Sequence, residues 1–135
     1  MTIVPPPDVR YSESHEWARL DEDGKTVAVG ITDFAVKELQ DLVFITLPKP
    51  GTKVARGQRF GEIESVKAVS DLIAPVDGEV LAVNGALEGK LEVLAQDPYG
   101  AGWMIQVRTA GGPEVLAGLM DAEAYARFTR EAGHH

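Results

Sequence analysis

Residues 61–80, GEIESVKAVSDLIAPVDGEV, decide the fold, because they read as two strands that reverse around a single lysine. The sequence nearly mirrors itself about Lys67 and Ala68, so a two-residue turn there would place Glu64 opposite Asp71. Like charges that face each other across two strands destabilise a sheet. Lys-Ala also lacks the Asn-Gly or Asp-Gly pair that tight hairpin turns favour. A hairpin that gives up both advantages predicts a functional role for its lysine.

The composition limits what that role can be. The 135 residues suit one domain with its own hydrophobic core, and we expect a single domain over 1–135. No apolar run is long enough to span a membrane, and the first residues do not read as an export signal. With no cysteine in the chain, any redox chemistry must come from a cofactor. The net charge of −8 argues against nucleic-acid binding and favours docking to basic protein surfaces.

Turn signals at regular spacing predict a small β-sandwich or barrel. An Asp-Gly turn at 23–24 joins two alternating runs, and Thr32 can cap a short helix over 33–40. Residues 1–9 read as an extended lead-in, 113–131 as a C-terminal helical segment and 132–135 as a tail. The remaining strand-like pieces lie at 42–47, 52–57, 58–65, 70–75, 78–84 and 103–108.

Two segments on either side of the lysine hairpin resemble each other. PGTKVARGQRF at 50–60 and APVDGEVLAVN at 74–84 each combine a turn glycine with an apolar strand. This echo predicts two similar half-sheets, with the lysine hairpin projecting from one end. A lysine in that position is exposed and isolated, which suits a swinging arm that carries a group between the active sites of other proteins.

Seven motifs occur in order along the chain: YSESHEW (11–17), VGITDFA (29–35), LVFITLP (42–48), ESVKAVSD (64–71), APVDGEV (74–80), DPYGAGWM (97–104) and LMDAEAY (119–125). In this order and spacing they closely resemble the H proteins of the glycine cleavage system, from about Tyr11 to Phe128. The resemblance implies a mainly β fold, a lipoyl-domain-like barrel-sandwich hybrid with a short internal helix and C-terminal helices.

The resemblance implies a carrier without catalytic residues. Lys67 would hold lipoic acid in amide linkage, as N6-lipoyl-lysine. Its dithiolane would take an aminomethyl group from a pyridoxal-phosphate glycine decarboxylase, present it to a tetrahydrofolate-dependent aminomethyltransferase, and be reoxidised by the FAD enzyme dihydrolipoyl dehydrogenase. Lipoylating enzymes are further partners. We expect a monomer in a bacterial cytoplasm, or in the mitochondrial matrix if a transit peptide has been removed.

The same resemblance assigns roles to five residues besides the lysine. Glu64 and Gly78 match positions that lipoylating enzymes recognise. Ser14, Glu16 and Asp71 match a cleft into which the loaded arm folds back, where its amine is shielded from water. A hydroxyl and two carboxylates suit an ammonium by charge and by the number of hydrogen-bond acceptors.

Other functions stay open at this point. A biotin carrier would share the hairpin but normally has methionines where Val66 and Ala68 stand. A catalyst that used a free Lys67 amine would need burial to lower its pKa, which a projecting turn does not provide. H-like lipoate-binding proteins also serve other pathways, such as sulfur oxidation or lipoyl relay. Where the family often has Gly, Pro, Asn and Lys, this chain has Gln40, Leu91, Ala95 and Gln106.

No metal site is predicted. HEW at 15–17 is half of a zincin motif, but no second histidine follows at the required spacing. His134 and His135 belong to the tail. Tyr99 and Trp103 are expected to pack in the core and pin a turn rather than stack on a ligand.

Overall fold

The computed structural model describes residues 8–111 and 113–132. The first seven residues of the predicted lead-in and the two terminal histidines lie outside this part of the chain. Within it, the strands are β1 (Arg10–Tyr11), β2 (Glu16–Leu20), β3 (Thr26–Ile31), β4 (Leu42–Thr46), β5 (Lys53–Val54), β6 (Arg59–Ser65), β7 (Val69–Ile73), β8 (Gly78–Val83) and β9 (Ile105–Arg108). The α-helices are α1 (Asp33–Leu39), α2 (Glu92–Gln96) and α3 (Ala122–Ala132).

The strands form two antiparallel sheets, which confirms the predicted mainly β fold. One sheet has six strands in the order β1-β2-β3-β9-β8-β5, and the other has three in the order β4-β6-β7. The expectation of two similar half-sheets is wrong. The hairpin of β2 and β3 pairs with β9, and β1 extends the same sheet, so one sheet is twice the size of the other.

The main core lies between the inner faces of the two sheets. Ile45, Ile63 and Leu72 of the small sheet are buried together with Val29 and Ile105 of the large one. Burying an aliphatic side chain of this size stabilises a fold by roughly 1.5–3 kcal/mol. The three-stranded sheet packs against this core through one face. Its other face points away from the core and carries the exposed side chains of Phe44 and Val69.

A second, aromatic cluster fixes α3 to the rest of the fold. Tyr11 and Tyr125 stack with ring centroids 4.5 Å apart, and the indole N–H of Trp17 donates to the Pro98 carbonyl at 2.9 Å. Tyr99 is buried in this cluster and Trp103 packs against it, which confirms the packing role predicted for both.

The helices match the sequence predictions in part. The Thr32 hydroxyl accepts a hydrogen bond from the Ala35 N–H at 3.2 Å, as predicted for the cap of α1. The C-terminal segment is helical in two pieces, a 3₁₀ turn at Pro113–Leu116 and α3, which Asp121 caps. The 3₁₀ helix at Gly85–Gly89 and α2 were not predicted. No helix in the described residues is long and apolar enough to cross a membrane.

Candidate functional site

The lysine hairpin consists of β6 and β7, but its register differs from the prediction. The last paired residues are Glu64 and Val69, so the reversal is centred one residue earlier than expected. Asp71 consequently lies opposite Glu62 and not opposite Glu64. The prediction of a Glu64–Asp71 pair is therefore wrong, although two carboxylates still face each other across the strands.

Ser65 builds the turn that presents the lysine. Its hydroxyl accepts hydrogen bonds from the backbone N–H groups of Lys67 at 3.3 Å and Ala68 at 3.1 Å. Its own N–H donates to the Ala68 carbonyl at 2.7 Å, and no residue of the turn has a positive φ. Serine hydroxyls stabilise turns in this way, which explains why the hairpin needs neither Asn-Gly nor Asp-Gly. Sequence reasoning missed this role, although the signal, a serine two residues before the lysine, was present.

The tip of the hairpin is also tied to the neighbouring strand. The Val66 N–H donates to the Asp41 carbonyl at 2.9 Å, just before β4 begins. Lys67 itself is exposed and takes part in no ion pair of the described residues. The backbone at this point is thus held in place while the amine stays accessible, which suits a lysine that other enzymes modify.

Arg59 forms an ion pair with each of the two facing carboxylates of the hairpin and so offsets part of their repulsion. Its guanidinium lies 3.2 Å from the Glu62 carboxylate and 3.2 Å from the Asp71 carboxylate. A register shift between Arg59 and Gly61 brings the arginine to this position, and a Cβ on Gly61 would lie 2.3 Å from the Thr46 carbonyl oxygen. The like-charge pair therefore has an explanation within the fold and does not by itself indicate a bound ammonium.

Glu16 is a buried carboxylate with three hydrogen-bond donors. One oxygen accepts from the hydroxyls of Ser12 at 3.0 Å and Ser14 at 2.5 Å, and the other accepts from the Ile73 N–H at 3.1 Å. The residue is only 1% exposed. Burial raises the pKa of Glu16 to about 7, against the opposing effect of these hydrogen bonds. Glu16 therefore changes between its protonated and its ionised form near neutral pH.

A cleft of about 230 Å³ opens beside Ser14. Its walls come from residues 11–14, 56–57, 73–75 and 118–120, and they include the cationic side chain of Arg56. Glu16 lies behind Ser14 and does not line the cleft, and Asp71 does not line it either. The structure thus brings Ser14 and Glu16 into contact and leaves Asp71 on β7, two residues before the cleft begins.

The two residues assigned to recognition by lipoylating enzymes lie in different sheets. Glu64 is on β6, next to the turn, and is partly exposed. Gly78 begins β8, where a Cβ would lie 2.1 Å from the Arg108 carbonyl oxygen. Close packing of β8 on β9 therefore accounts for this glycine, whatever further role it has.

Three of the positions that depart from the resembled family lie together. Gln40, Leu91 and Ala95 line a cleft of about 270 Å³ between the end of α1 and the start of α2. Gln106 is on β9, between Ala28 and Ala82 of the neighbouring strands. In the described residues, no group of three or more His, Asp or Glu side chains is placed to hold a metal ion.

Comparison with known proteins shows which family this chain resembles. The family model for the glycine cleavage H-protein matches residues 9–132. The glycine cleavage system H protein of Chlorobium limicola is 50% identical over 126 residues, which cover 93% of this chain and 98% of that protein. The one from Mycolicibacterium smegmatis is 50% identical over 128 residues, with 93% and 97% covered.

The fold agrees as well. The crystal structure of a glycine cleavage system H protein from Mycobacterium marinum matches this structure with a TM-score of 0.84 at 40% identity. The match covers 93% of this chain and 99% of that one. The chain therefore belongs to the glycine cleavage H-protein family, whose members are non-catalytic carriers of the glycine cleavage system that hold lipoic acid covalently on a lysine.

Proposed function

We propose that Lys67 is the lysine that carries lipoic acid and that the whole chain, 1–135, works as one monomeric carrier domain. The observation that supports this is an exposed amine at the tip of a hairpin whose backbone is fixed by Ser65 and by the Asp41 carbonyl. An acyl group on the amine projects into solvent without disturbing any contact of the described residues. The rigid backbone gives every modifying enzyme the same target.

The partners we propose are those that the chemistry of the arm requires. When bound, lipoic acid supplies a dithiolane that accepts an aminomethyl group and reducing equivalents. A pyridoxal-phosphate glycine decarboxylase loads the arm, a tetrahydrofolate-dependent aminomethyltransferase unloads it, and dihydrolipoyl dehydrogenase reoxidises it. The bacterial cytoplasm is the compartment we propose. Lipoylating enzymes act first, and we propose that they recognise Glu64 and the turn that begins at Gly78.

We further propose that the loaded arm folds back along β7. Val69, Asp71 and Ile73 share one face of this strand, because side chains alternate along a strand. Counted from Val69, where β7 begins, Asp71 lies about 7 Å along the strand and Ile73 about 13 Å, at a rise of about 3.3 Å per residue. An ammonium at the end of the arm therefore meets Asp71 before it reaches the cleft at Ser14.

Glu16 acts in this proposal as a positioning residue. Its carboxylate accepts hydrogen bonds from the Ser14 hydroxyl and the Ile73 N–H, and both of these residues line the cleft. Ser14 offers a hydroxyl oxygen to the arm, while the charge of Glu16 lies directly behind that hydroxyl. In this proposal the arm passes Asp71 on β7 first and then reaches Ser14 in the cleft, while Glu16 lies behind Ser14. The three residues do not form one cluster.

The experiment that tests the attachment site is mass mapping of the protein from cells supplied with lipoate. We expect one lipoyl group, on the peptide that contains Lys67. A Lys67→Arg variant should lack the added mass, while Lys53→Arg, at another exposed lysine, should keep it. A lipoyl group on Lys53 or Lys90 with Lys67 bare would refute the assignment. Exchange of labelled bicarbonate into glycine should require both the decarboxylase and the lipoylated protein.

A further inference from the structure

The loop that joins β1 to β2 contains a histidine in an unusual backbone conformation. The His15 N–H donates to the Ser12 carbonyl at 3.1 Å, and the Ser12 N–H donates to the Glu16 carbonyl at 2.9 Å. Residues 13–15 therefore make the reversal, and His15 ends it with φ +72°. Glycine is common at such a left-handed position, because a Cβ strains this backbone. A histidine there needs contacts that hold it in place.

Contacts with α1 and α3 hold the His15 side chain. Its Nδ1 lies 2.8 Å from the Tyr125 hydroxyl of α3. Its ring packs against Phe34 of α1, with centroids 4.7 Å apart, and against Phe128 of α3 at 5.8 Å. The His15 carbonyl accepts a hydrogen bond from the Thr32 N–H at 3.0 Å. The left-handed conformation is thus fixed by contacts that lie outside the loop.

The contact between His15 and Tyr125 belongs to a chain of hydrogen bonds. The Thr32 hydroxyl accepts from the Ala35 N–H, and its oxygen lies 2.7 Å from the Tyr125 hydroxyl. If Thr32 donates to Tyr125 and Tyr125 donates to Nδ1 of His15, every hydroxyl proton in the chain has an acceptor. Burial lowers the pKa of His15, against the opposing charge of Glu38, so the ring is neutral at neutral pH and Nδ1 can accept. The chain joins both helices to the loop.

We propose that His15 is a positioning residue of the cleft: its left-handed backbone, held by α3, keeps the Ser14 hydroxyl between the Glu16 carboxylate and the cleft. His15 stands between these two residues in the chain, so its φ and ψ set the direction of one relative to the other. Ser14 lines the cleft, whereas Glu16 is buried behind it. This inference rests on the proposed function, because it concerns a loaded arm that reaches Ser14.

The proposal predicts a change at Glu16 when His15 is loosened. Groups that interact with the Glu16 carboxylate include the hydroxyls of Ser12 and Ser14, the Ile73 N–H of β7 and the Tyr125 phenol of α3. Burial raises the pKa of Glu16, and the Ser14 hydrogen bond opposes this rise more than any other contact. If Ser14 turns away, the pKa of Glu16 should rise further. A change that only weakens the docking of α3 should not have this effect.

The test combines the lifetime of the loaded arm with an NMR titration of the Glu16 carboxyl carbon, both in lipoylated protein. His15→Ala should release formaldehyde about three- to tenfold faster, and its Glu16 titration should move to higher pH. Tyr125→Phe keeps the stacked ring but lacks the hydroxyl, so it should also release faster, and it tests the same bond if His15→Ala does not fold. His15→Asn should recover part of the lifetime, because asparagine tolerates the left-handed conformation better than alanine.

Phe128→Leu is the matched control, since it loosens the packing of α3 on the His15 ring and leaves the bond to Tyr125. It should lower the thermal stability but keep the lifetime within twofold of the wild type, with the Glu16 titration unchanged. The same lifetime and titration change in Phe128→Leu as in His15→Ala would reduce His15 to an anchor for α3 and overturn the inference.

Ser14→Ala separates failure of this inference from failure of the proposed function. Release from Ser14→Ala at the wild-type rate would show that the arm does not reach the cleft, which overturns the proposed fold-back of the arm. Faster release from Ser14→Ala, with wild-type release from folded His15→Ala and Tyr125→Phe, would leave the fold-back intact and overturn the positioning role of His15. Circular dichroism and intact mass establish that each variant is folded and lipoylated.

Discussion

The carboxylate of Glu16 and the backbone N–H of Ile73 are joined by a 3.1 Å hydrogen bond, although the two residues are 57 positions apart in the chain. This bond ties the first residue of β2 to the last residue of β7, the strand that leads away from Lys67. The end of the lysine hairpin that lies away from Lys67 is therefore held by the buried side chain of Glu16. The charge of that acid affects both the fold and the cleft beside Ser14.

The first prediction concerns the pH dependence of stability. The pKa of Glu16 is raised from 4.5 to about 7 in the fold, so the folded protein binds this proton more tightly than the unfolded chain does. The stabilisation is fully present below pH 4.5 and is lost as the pH rises through 7. Relative to Glu16→Gln, the wild type should lose up to about 3 kcal/mol across this window.

Urea unfolding at several pH values measures this effect. The free energy of unfolding of the wild type minus that of Glu16→Gln should fall as the pH rises from 4.5 to beyond 7. Other titrating groups, such as His15, whose pKa is lowered by burial, are present in both proteins and cancel. Glu13→Gln, at an exposed neighbouring carboxylate, is the control. Parallel curves for the wild type and Glu16→Gln would contradict the raised pKa.

The second prediction concerns Gln40, which ends α1 with φ +64° and ψ −116°. A side chain strains this backbone conformation, which glycine adopts freely. Gln40→Gly should therefore raise the free energy of unfolding by roughly 1 kcal/mol. Gln40→Ala keeps the Cβ and should leave stability close to that of the wild type. Thermal unfolding of the three proteins measures the difference, and equal gains in both variants would assign the effect to loss of the glutamine side chain.

Local signals allowed several elements to be predicted from the sequence. The Asp-Gly turn fixed the hairpin of β2 and β3, and the Thr32 hydroxyl marked the start of α1. α2 was missed because it has only five residues and its N-cap position, Leu91, makes no side-chain capping hydrogen bond. A helix without a cap and of this length gives almost no sequence signal.

The site was predicted less completely than the fold, because its geometry depends on distant residues. The register of the lysine hairpin follows from the shift near Gly61 and from the bond between Val66 and the Asp41 carbonyl. Neither is visible in the symmetry of the residues around Lys67. The position of Glu16 behind Ser14 likewise results from folding, since hydrogen bonding to Ile73 turns its carboxylate inward. The exposure of the lysine needed no such contact and was predicted.

The third prediction concerns the turn itself. Ser65→Ala removes the hydroxyl that accepts from the N–H groups of Lys67 and Ala68, so the turn should sample more conformations. Net hydrogen bonds of this kind are worth about 1 kcal/mol each, and we expect lipoylation to slow by about three- to tenfold. Ser70→Ala is the control, since the exposed Ser70 side chain makes no hydrogen bond with the described residues. Intact mass followed over time with a lipoylating enzyme measures both rates.

The last prediction concerns the loaded arm. If the arm folds back along β7, Asp71 is the first carboxylate that its ammonium meets, and Asp71→Asn should shorten the lifetime of the loaded protein. Asp71 is exposed and already shares Arg59, so we expect a change of about three- to tenfold, below the full effect of a buried charge-assisted hydrogen bond. Release of formaldehyde and ammonia from the loaded protein in low salt measures this lifetime.

Glu62→Gln is the matched control for Asp71→Asn. Glu62 lies directly opposite Asp71 and shares the same arginine, but it is on β6, away from the path along β7. Both substitutions remove one carboxylate and one ion pair with Arg59, so an effect on the hairpin as a whole would be common to them. Faster release from Asp71→Asn alone, with lipoylation of Lys67 unchanged, supports the fold-back path. Equal release from the two variants would mean that the arm does not follow β7 and that Asp71 serves only to pair with Arg59.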